Sequence, residues 1–251
     1  MDIQLSYVEQ GLGYPLLLLH GNGESSALFQ THMARFAAMR HVIAVDTRGH
    51  GRSHRGTTPF TLEQFAEDLH AFMMLHNIPC ADILGFSDGG NIAMLFALRY
   101  PACVRGLILV GANTYPTGMH TGAWLAILSL WCLFGFLAPF AAHMQRKREL
   151  YGLMAHQPHI SFTALATIQA PTLVLAGTHD LIRTSHTRKI AAAFPHSTLR
   201  LIPGGHMLVT EQPEAFATSV ANFLKTLDGP FHASTLPEMP PSQSKVEKTA
   251  A

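Results

Sequence analysis

One glycine-rich stretch near the middle of the chain constrains the fold more than any other. It is Asp82-Ile83-Leu84-Gly85-Phe86-Ser87-Asp88-Gly89-Gly90-Asn91, which predicts an apolar strand, a tight turn and a helix beginning at Gly90. The turn carries the pattern G-x-S-x-G, in which a serine at positive φ stands above the end of a strand. A Cβ at either outer glycine would meet the neighbouring strand or helix. The helix directs its free N–H groups and positive dipole end at the serine.

The composition limits the fold, the partners and the cofactors that can be expected for this chain. A chain of 251 residues, 48% of them hydrophobic, accommodates one large α/β domain with ample core. The net charge of +1 implies no broad electrostatic field, so we expect no nucleic-acid partner. Three dispersed cysteines and no visible signal peptide predict buried thiols and a cytoplasmic location. Sixteen histidines show no metal-ligand spacing, so we expect neither a metal nor a cofactor.

Apolar runs alternate with amphipathic segments along the chain. Thr61 resembles a helix N-cap, with Gln64 closing a capping box. Strands alternating with helices predict a mainly parallel, doubly wound α/β sheet with helices on both faces. Besides the strand before Ser87, the predicted strands are 3–8, 15–20, 41–46, 104–110, 171–176 and 197–202, and the other predicted helices are 27–38, one after Thr61, 184–194 and 213–227.

Chemistry in an open parallel sheet collects at the carboxyl ends of the strands. Loops predicted there contain residues 20–23, Ser87, Asp180 and His206. The last three follow the order Ser, Asp, His, in which a histidine can activate a serine and a carboxylate can orient the histidine. Taken singly, Asp180 also suits a turn cap and His206 an ordinary loop. A rival acid after the strand ending at Val110 is missing, since residues 111–113 are Gly-Ala-Asn.

Taken together, these motifs resemble the α/β-hydrolase fold family with an inserted cap. The matching segments are His-Gly-Asn-Gly at 20–23, Asp-Thr-Arg-Gly-His-Gly-Arg-Ser at 46–53, Gly-Phe-Ser-Asp-Gly-Gly at 85–90, Gly-Thr-His-Asp at 177–180 and Gly-Gly-His at 204–206. The resemblance implies catalytic Ser87, Asp180 and His206, and an oxyanion hole made by the backbone N–H groups of Asn22 and Asp88. A serine nucleophile argues against the dehalogenase and epoxide-hydrolase branches. The family's first edge strand is missing or very short.

The predicted domains are an α/β core at 1–111 and 171–227, a helical cap at 112–170 and a disordered tail at 228–251. Residues 123–142 carry no charge and are long enough for a membrane span. Gly135 and Pro139 interrupt the run, and a span would divide the sheet, which favours two cap helices packed on a substrate cleft. We expect an apolar acyl pocket lined by Trp124, Trp131, Phe134 and Phe136. Residues 146–148, Arg-Lys-Arg, suit either a solvated face or a peripheral contact with anionic lipid.

The expected function is therefore a serine hydrolase of the carboxylesterase type, acting on a small or lipophilic carboxylic ester through an acyl-enzyme. The fold also supports amidases, acyltransferases and carbon–carbon bond hydrolases. The sextet at 85–90 is similar to that of valacyclovirase-like amino-acid-ester hydrolases, which implies that Asp88 meets a substrate amine. Alternatively Asp88 only complements a helix N-terminus. A slow-turnover ligand receptor on the same fold is the other alternative. The oligomeric state stays open.

Overall fold

A seven-stranded sheet forms the centre of the protein, seen here in a computed structural model that describes residues 2–228. The strand order is β1-β3-β2-β4-β5-β6-β7, with β1 antiparallel to β3 and every other pair parallel. The strands are β1 Tyr7–Gln10, β2 Pro15–Leu19, β3 His41–Val45, β4 Ala81–Phe86, β5 Val104–Val110, β6 Thr172–Gly177 and β7 Ser197–Ile202. This architecture confirms the predicted α/β class.

Helices cover both faces of the sheet. Alternate residues of β2 show this directly: Leu17 and Leu19 pack in a hydrophobic cluster on one face, whereas Leu16 and Leu18 pack in a second cluster on the other face. A strand buried on both faces needs no polar alternation, which explains its continuous apolar run. The helices are α1 Gln30–Ala37, α2 Leu62–Leu75, α3 Asp88–Arg99, α4 Thr121–Leu137, α5 Ala142–His156, α6 Phe162–Leu165, α7 Thr184–Ala193, α8 Leu208–Glu211 and α9 Pro213–Leu227.

Several predicted boundaries differ from the observed ones. The edge strand predicted at 3–8 lies at Tyr7–Gln10, and the segment predicted as one helix at 27–38 begins with a 3₁₀ turn before α1. Helix α3 begins at Asp88 and not at Gly90, because the chain reverses at Ser87 itself. The capping box is half formed. Thr61 accepts a hydrogen bond from the Gln64 N–H at 3.1 Å, but the Gln64 amide donates to Asp68 instead of closing the box.

The segment between β5 and β6 contains α4, α5 and α6. Helices α4 and α5 pack against each other, and the Trp124 indole donates to the Ala155 carbonyl at 3.2 Å. The stretch Thr121–Phe140 is long and apolar enough to cross a membrane by length and composition, with a mean hydropathy of 2.0. The division of the chain into core and cap domains stays a prediction.

The predicted tail begins one residue too early. Asp228 borders a buried charge cluster, since its half-exposed carboxylate accepts hydrogen bonds from Arg40 at 2.8 Å and from Arg105 at 3.3 Å. Both arginines also bind Asp82, whose side chain is fully buried. Residues 229–251, which hold the rest of the predicted disordered tail, lie outside the described part of the chain.

The sequence predicted three buried thiols, and the structure shows that only one of them is buried. Cys80 is buried, Cys103 is half-buried, and Cys132 is exposed on α4. Burial raises the pKa of the Cys80 thiol. Cys132 is exposed because the face of α4 that carries it turns away from α5 and the sheet.

Candidate active site

Ser87 occupies the sharp turn between β4 and α3, and its φ of 52° confirms the predicted positive value. The turn is held by the Ser87 N–H, which donates to the Val110 carbonyl at 2.7 Å. Glycine is required on both sides for steric reasons. A Cβ on Gly85 would overlap the backbone of Gly89 at the start of α3, and a Cβ on Gly89 would overlap the Leu19 carbonyl at the end of β2.

His206 and Asp180 lie next to this serine. The His206 Nε2 is 3.1 Å from the Ser87 Oγ, and the His206 Nδ1 is 2.7 Å from the Asp180 Oδ1. Because the Asp180 carboxylate accepts the Nδ1 proton, the Nε2 lone pair is available to the serine hydroxyl. Asp180 follows β6 and His206 follows β7, so adjacent parallel strands bring the two residues to the same edge of the sheet.

Backbone donors hold the buried carboxylate of Asp180 in place. Its Oδ1 accepts a second hydrogen bond from the Ile182 N–H at 2.8 Å, and its Oδ2 accepts from the Gly177 N–H at 3.3 Å. Only 1% of the Asp180 side chain is exposed, against 18% for His206. The carboxylate is therefore fixed by the protein, while the imidazole keeps access to the cleft.

Gly111 makes room for this pair, and the sequence analysis missed its importance. Its φ is 61°, and a Cβ there would lie 2.9 Å from the His206 Cε1 and 3.0 Å from the Nδ1. The residue directly follows β5, where the rival acid was sought. The sequence signal was a glycine at the carboxyl end of a strand, which often marks a close approach of another group.

Asn22 and Asp88, the two predicted oxyanion donors, lie beside each other. The Asn22 side chain donates to the Asp88 Oδ2 at 2.9 Å and to the Leu150 carbonyl of α5 at 3.0 Å. Among the hydrogen bonds described for residues 2–228, the backbone N–H groups of Asn22 and Asp88 have no protein acceptor. The oxyanion hole stays a prediction. The sequence analysis did not predict that the Asn22 side chain connects Asp88, next to Ser87, with α5.

The Asp88 carboxylate is buried with amide partners alone. Asn22 donates to one oxygen, and Asn91 donates to the other at 3.1 Å. Burial raises the pKa of Asp88, and the two amide hydrogen bonds offset only part of that rise. The other buried aspartates of the described chain, Asp46, Asp68, Asp82 and Asp180, each accept from backbone N–H groups, an arginine or a histidine.

The residues at 46–53 and His20 have a structural role, since their hydrogen bonds hold the loops after β2 and β3 together. His20 Nε2 accepts from the Thr47 N–H at 3.1 Å, so its Nδ1 carries the proton and donates to the Gly21 carbonyl. Burial lowers the pKa of His20, which favours the neutral ring. Asp46 accepts from the Ser26 and Arg52 N–H groups at 2.7 and 2.9 Å. This motif therefore joins the ends of β2 and β3 beneath the site.

The four aromatic residues predicted to line an acyl pocket have different environments. Trp124, Trp131 and Phe134 are half-buried between α4 and α5, where Trp131 packs on His156 and Phe134 on Tyr151. Phe136 is 74% exposed, so the prediction that it lines a pocket is wrong in this structure. Its position on the helix turns it away from α5. Pocket lining by the other three stays a prediction.

Within residues 2–228, no group of three or more His, Cys, Asp or Glu side chains is arranged to hold a metal ion. The acid and the base of the site bind each other, and the chemistry that this arrangement supports is nucleophilic attack by the serine oxygen.

Comparison with known proteins agrees with this geometry. The family described as alpha/beta hydrolase fold matches residues 14–132, which include β2, β4 and the Ser87 turn. The chain has the α/β-hydrolase fold. A hydrolase from Pseudomonas aeruginosa PA01 superimposes with a TM-score of 0.73 at 26% identity, covering 88% of this chain and 94% of that structure.

Two curated relatives cover nearly the whole of this α/β-hydrolase-fold chain. The 3-oxoadipate enol-lactonase 2 of Acinetobacter baylyi is 28% identical, covering 89% of this chain and 94% of the relative. The 2-hydroxymuconate semialdehyde hydrolase of Pseudomonas putida is 29% identical, covering 88% and 90%. Both relatives are hydrolases, which supports hydrolytic activity for this chain.

Proposed function

We propose that this protein is a serine hydrolase that cleaves a small or lipophilic carboxylic ester through an acyl-enzyme on Ser87. The observation that carries the proposal is the continuous hydrogen-bonded line from the Ser87 Oγ through His206 to the buried Asp180. A serine hydroxyl is a weak nucleophile, and the His206 Nε2, 3.1 Å away, supplies the base it needs.

In the proposed acylation, the Ser87 Oγ attacks the ester carbonyl carbon while the His206 Nε2 takes the hydroxyl proton. The Asp180 carboxylate stabilises the imidazolium that forms. The tetrahedral intermediate then collapses, the carbon–oxygen bond to the alcohol breaks, and His206 returns the proton to the leaving alcohol. In deacylation, His206 takes a proton from water, the hydroxide adds to the acyl carbon, and Ser87 leaves with that proton.

The backbone N–H groups of Asn22 and Asp88 are the proposed donors to the oxyanion. Each such donor contributes about 10²–10³-fold in kcat in acyl-transfer enzymes. Support comes from their position. Asp88 is the first residue of α3, where free N–H groups and the helix dipole favour negative charge, and Asn22 is linked to Asp88 by its side chain.

Labelling with a fluorophosphonate tests the nucleophile. The wild-type protein should be labelled at one site, and Ser87→Ala should not be labelled. Ser185→Ala, which removes an exposed hydroxyl on α7, is the matched control and should label like wild type. Stoichiometric labelling of Ser87→Ala would overturn the proposal.

An ester series identifies the substrate class. If the half-buried aromatic side chains of α4 line an acyl pocket, kcat/KM should rise from acetyl to longer acyl esters, because each methylene buried contributes about 0.8 kcal/mol. Lactones and amides with matched acyl groups belong in the same screen, since one relative is an enol-lactonase. A burst followed by steady turnover distinguishes an enzyme from a slow-turnover receptor, which would show the burst alone.

A second candidate, an amino-acid-ester hydrolase, is favoured by the environment of Asp88. This carboxylate is buried beside the serine, and its described partners are two neutral amides. A substrate ammonium group would compensate its charge and offset the burial that raises its pKa. The same charge, left uncompensated, would repel the developing oxyanion of a neutral ester.

Paired substrates separate the two candidates. An aminoacyl ester should have a higher kcat/KM than its des-amino analogue with the same alcohol, and Asp88→Asn should remove that advantage while keeping activity on the neutral ester. Asn113→Ala, which perturbs the same side-chain network through Asn91, controls for a general disturbance. Equal turnover of the two esters by wild type would leave Asp88 as a structural residue.

A further inference from the structure

The outer face of α4 and of the 3₁₀ turn that follows it, Ala138–Phe140, is an apolar stripe that the protein itself does not cover. Leu125, Leu133, Phe136 and Phe140 are 50%, 49%, 74% and 78% exposed. With Ser129 between the first two, they recur every three or four residues, which places them on one side of the helix. They are half of the large hydrophobic residues exposed in residues 2–228. We call these four residues the outer stripe.

The inner face of the same helix packs against the protein around one buried residue, Ile127. Ile127 is buried against Met119 and Ile182, and Trp124 and Trp131 pack in the same cluster. The residue before α4, His120, donates its N–H to the Leu181 carbonyl at 3.0 Å. Insertion of α4 into a bilayer would separate this face from Met119 and Ile182, so it would require this packing to be broken. The structure therefore favours a helix lying on a surface over one that spans a membrane.

Cations lie at the seam between α4 and α5. The Lys147 ammonium is 5.3 Å from the centre of the Phe134 ring, and the Arg148 guanidinium is 6.0 Å from the centre of the Trp131 ring. Both side chains are exposed, and neither forms an ion pair with another described residue. The carboxylate of α5, on Glu149, is paired with Arg55 at 2.8 Å. The surface formed by α4 and α5 is thus apolar on the outer stripe and positively charged along the seam between the two helices.

We propose that the outer stripe of α4, with Lys147 and Arg148, docks the protein peripherally on an anionic lipid surface. Apolar side chains that enter the acyl boundary next to cations that meet phosphate headgroups are the combination that interfacial helices use. A second copy of the chain is a poorer occupant, because a two-fold contact through the stripe would bring the two sets of cations together. This docking does not depend on the reaction proposed at Ser87.

Vesicle sedimentation of the full chain tests the proposal. The protein should sediment with vesicles of phosphatidylglycerol and phosphatidylcholine in equal parts, less with phosphatidylcholine alone, and should be released by high salt. Leu133→Glu and Phe140→Glu should each weaken binding by about tenfold or more, because a carboxylate replaces an apolar group at the boundary. Leu12→Glu, at a position 84% exposed and remote in sequence from α4, is the matched control and should bind like wild type.

The cations are tested separately. Lys147→Gln and Arg148→Gln should each weaken binding to the anionic vesicles by about fivefold, since a surface cation contributes about 1 kcal/mol. Arg188→Gln and Lys189→Gln, exposed on α7, are the matched controls. A polarity-sensitive fluorophore on the exposed Cys132 should shift to the blue when anionic vesicles are added.

Four results would overturn the proposal. These are absence of wild-type binding to either vesicle, equal binding to both vesicles, binding that both glutamate variants keep, and retention after a high-salt wash, which would indicate a membrane span. Self-association of wild type that Phe140→Glu abolishes, without vesicle binding, would assign the stripe to a second copy. Turnover of a soluble aryl acetate by every variant shows that the variants are folded. Loss of vesicle binding can then be distinguished from failure of the function proposed at Ser87.

Discussion

Replacing Gly111 with alanine should damage catalysis as well as stability. The backbone there is held by the Gly111 N–H, which donates to the Leu175 carbonyl at 2.9 Å, so it cannot easily retreat. The new Cβ would lie 2.9 Å from the His206 Cε1. Restoring an ordinary van der Waals separation requires the imidazole to move by about half an ångström.

The size of the effect follows from this displacement. Misplacing a reacting group by about 1 Å can cost about 10²-fold in rate, so a shift of about half that distance should lower kcat/KM by roughly tenfold. His206 is held by hydrogen bonds at both ring nitrogens, and a movement of the ring lengthens at least one of them. The positive φ adds about 1–2 kcal/mol of destabilisation when alanine replaces glycine.

Gly13→Ala separates the two contributions. Gly13 also has positive φ, at 100°, but a Cβ there has no neighbour within 4 Å. Both variants should lose stability in urea unfolding, and only Gly111→Ala should lose about tenfold in kcat/KM for 4-nitrophenyl acetate and label more slowly with fluorophosphonate. Equal kcat/KM values for the two variants would refute the steric argument.

Three further predictions concern buried and exposed groups. Burial lowers the pKa of His186 to about 4. Between pH 6.5 and pH 4, His186 is therefore protonated in the unfolded chain but stays neutral in the folded protein. The free energy of unfolding measured in urea should therefore fall by up to about 3 kcal/mol from pH 6.5 to pH 4, and by less in His186→Gln. The same pH dependence of stability in wild type and His186→Gln would contradict this. Asp82→Asn should lower the free energy of unfolding by about 3–5 kcal/mol, because the two buried cations of Arg40 and Arg105 would then share only the half-exposed Asp228 carboxylate; a loss below 1 kcal/mol would contradict this explanation. Ellman's reagent should modify one thiol rapidly in the folded protein, and Cys132→Ser should lack that phase; a fast phase that survives would place the reactive thiol elsewhere.

Residues of the site that lie in local sequence patterns were the predictable ones. Ser87 stands in a five-residue motif whose glycines are required by contacts with β2 and α3. Asp180 and His206 each follow an apolar strand. Because parallel strands end at one edge of the sheet, chain order alone was enough to expect them together. Their separations of 2.7 and 3.1 Å come only from the folded chain.

Residues that act through distant contacts were not predictable. The bond from Asn22 to the Leu150 carbonyl joins positions separated by 128 residues in the chain. The need for glycine at position 111 arises from the His206 ring, which lies on a loop two strands away. No local pattern records such a neighbour, since each contact depends on how whole elements pack.

The helix α4 shows where sequence and tertiary structure divide. Composition by itself determined that residues 123–142 form an uncharged segment long enough for a helix of membrane length, because hydropathy is a sum over residues. Which side of that helix meets protein was decided only by packing. The hydrophobic side chains surround the helix almost evenly, so α5 and Ile182 selected the buried side. Phe136 was therefore left facing outward. For the sheet, the apolar runs themselves determined the strands, because burial on both faces favours apolar residues at nearly every position. The placement of Asn22, Asp88 and Gly111 around Ser87 required the assembled fold, because their neighbours come from elements far apart in the chain.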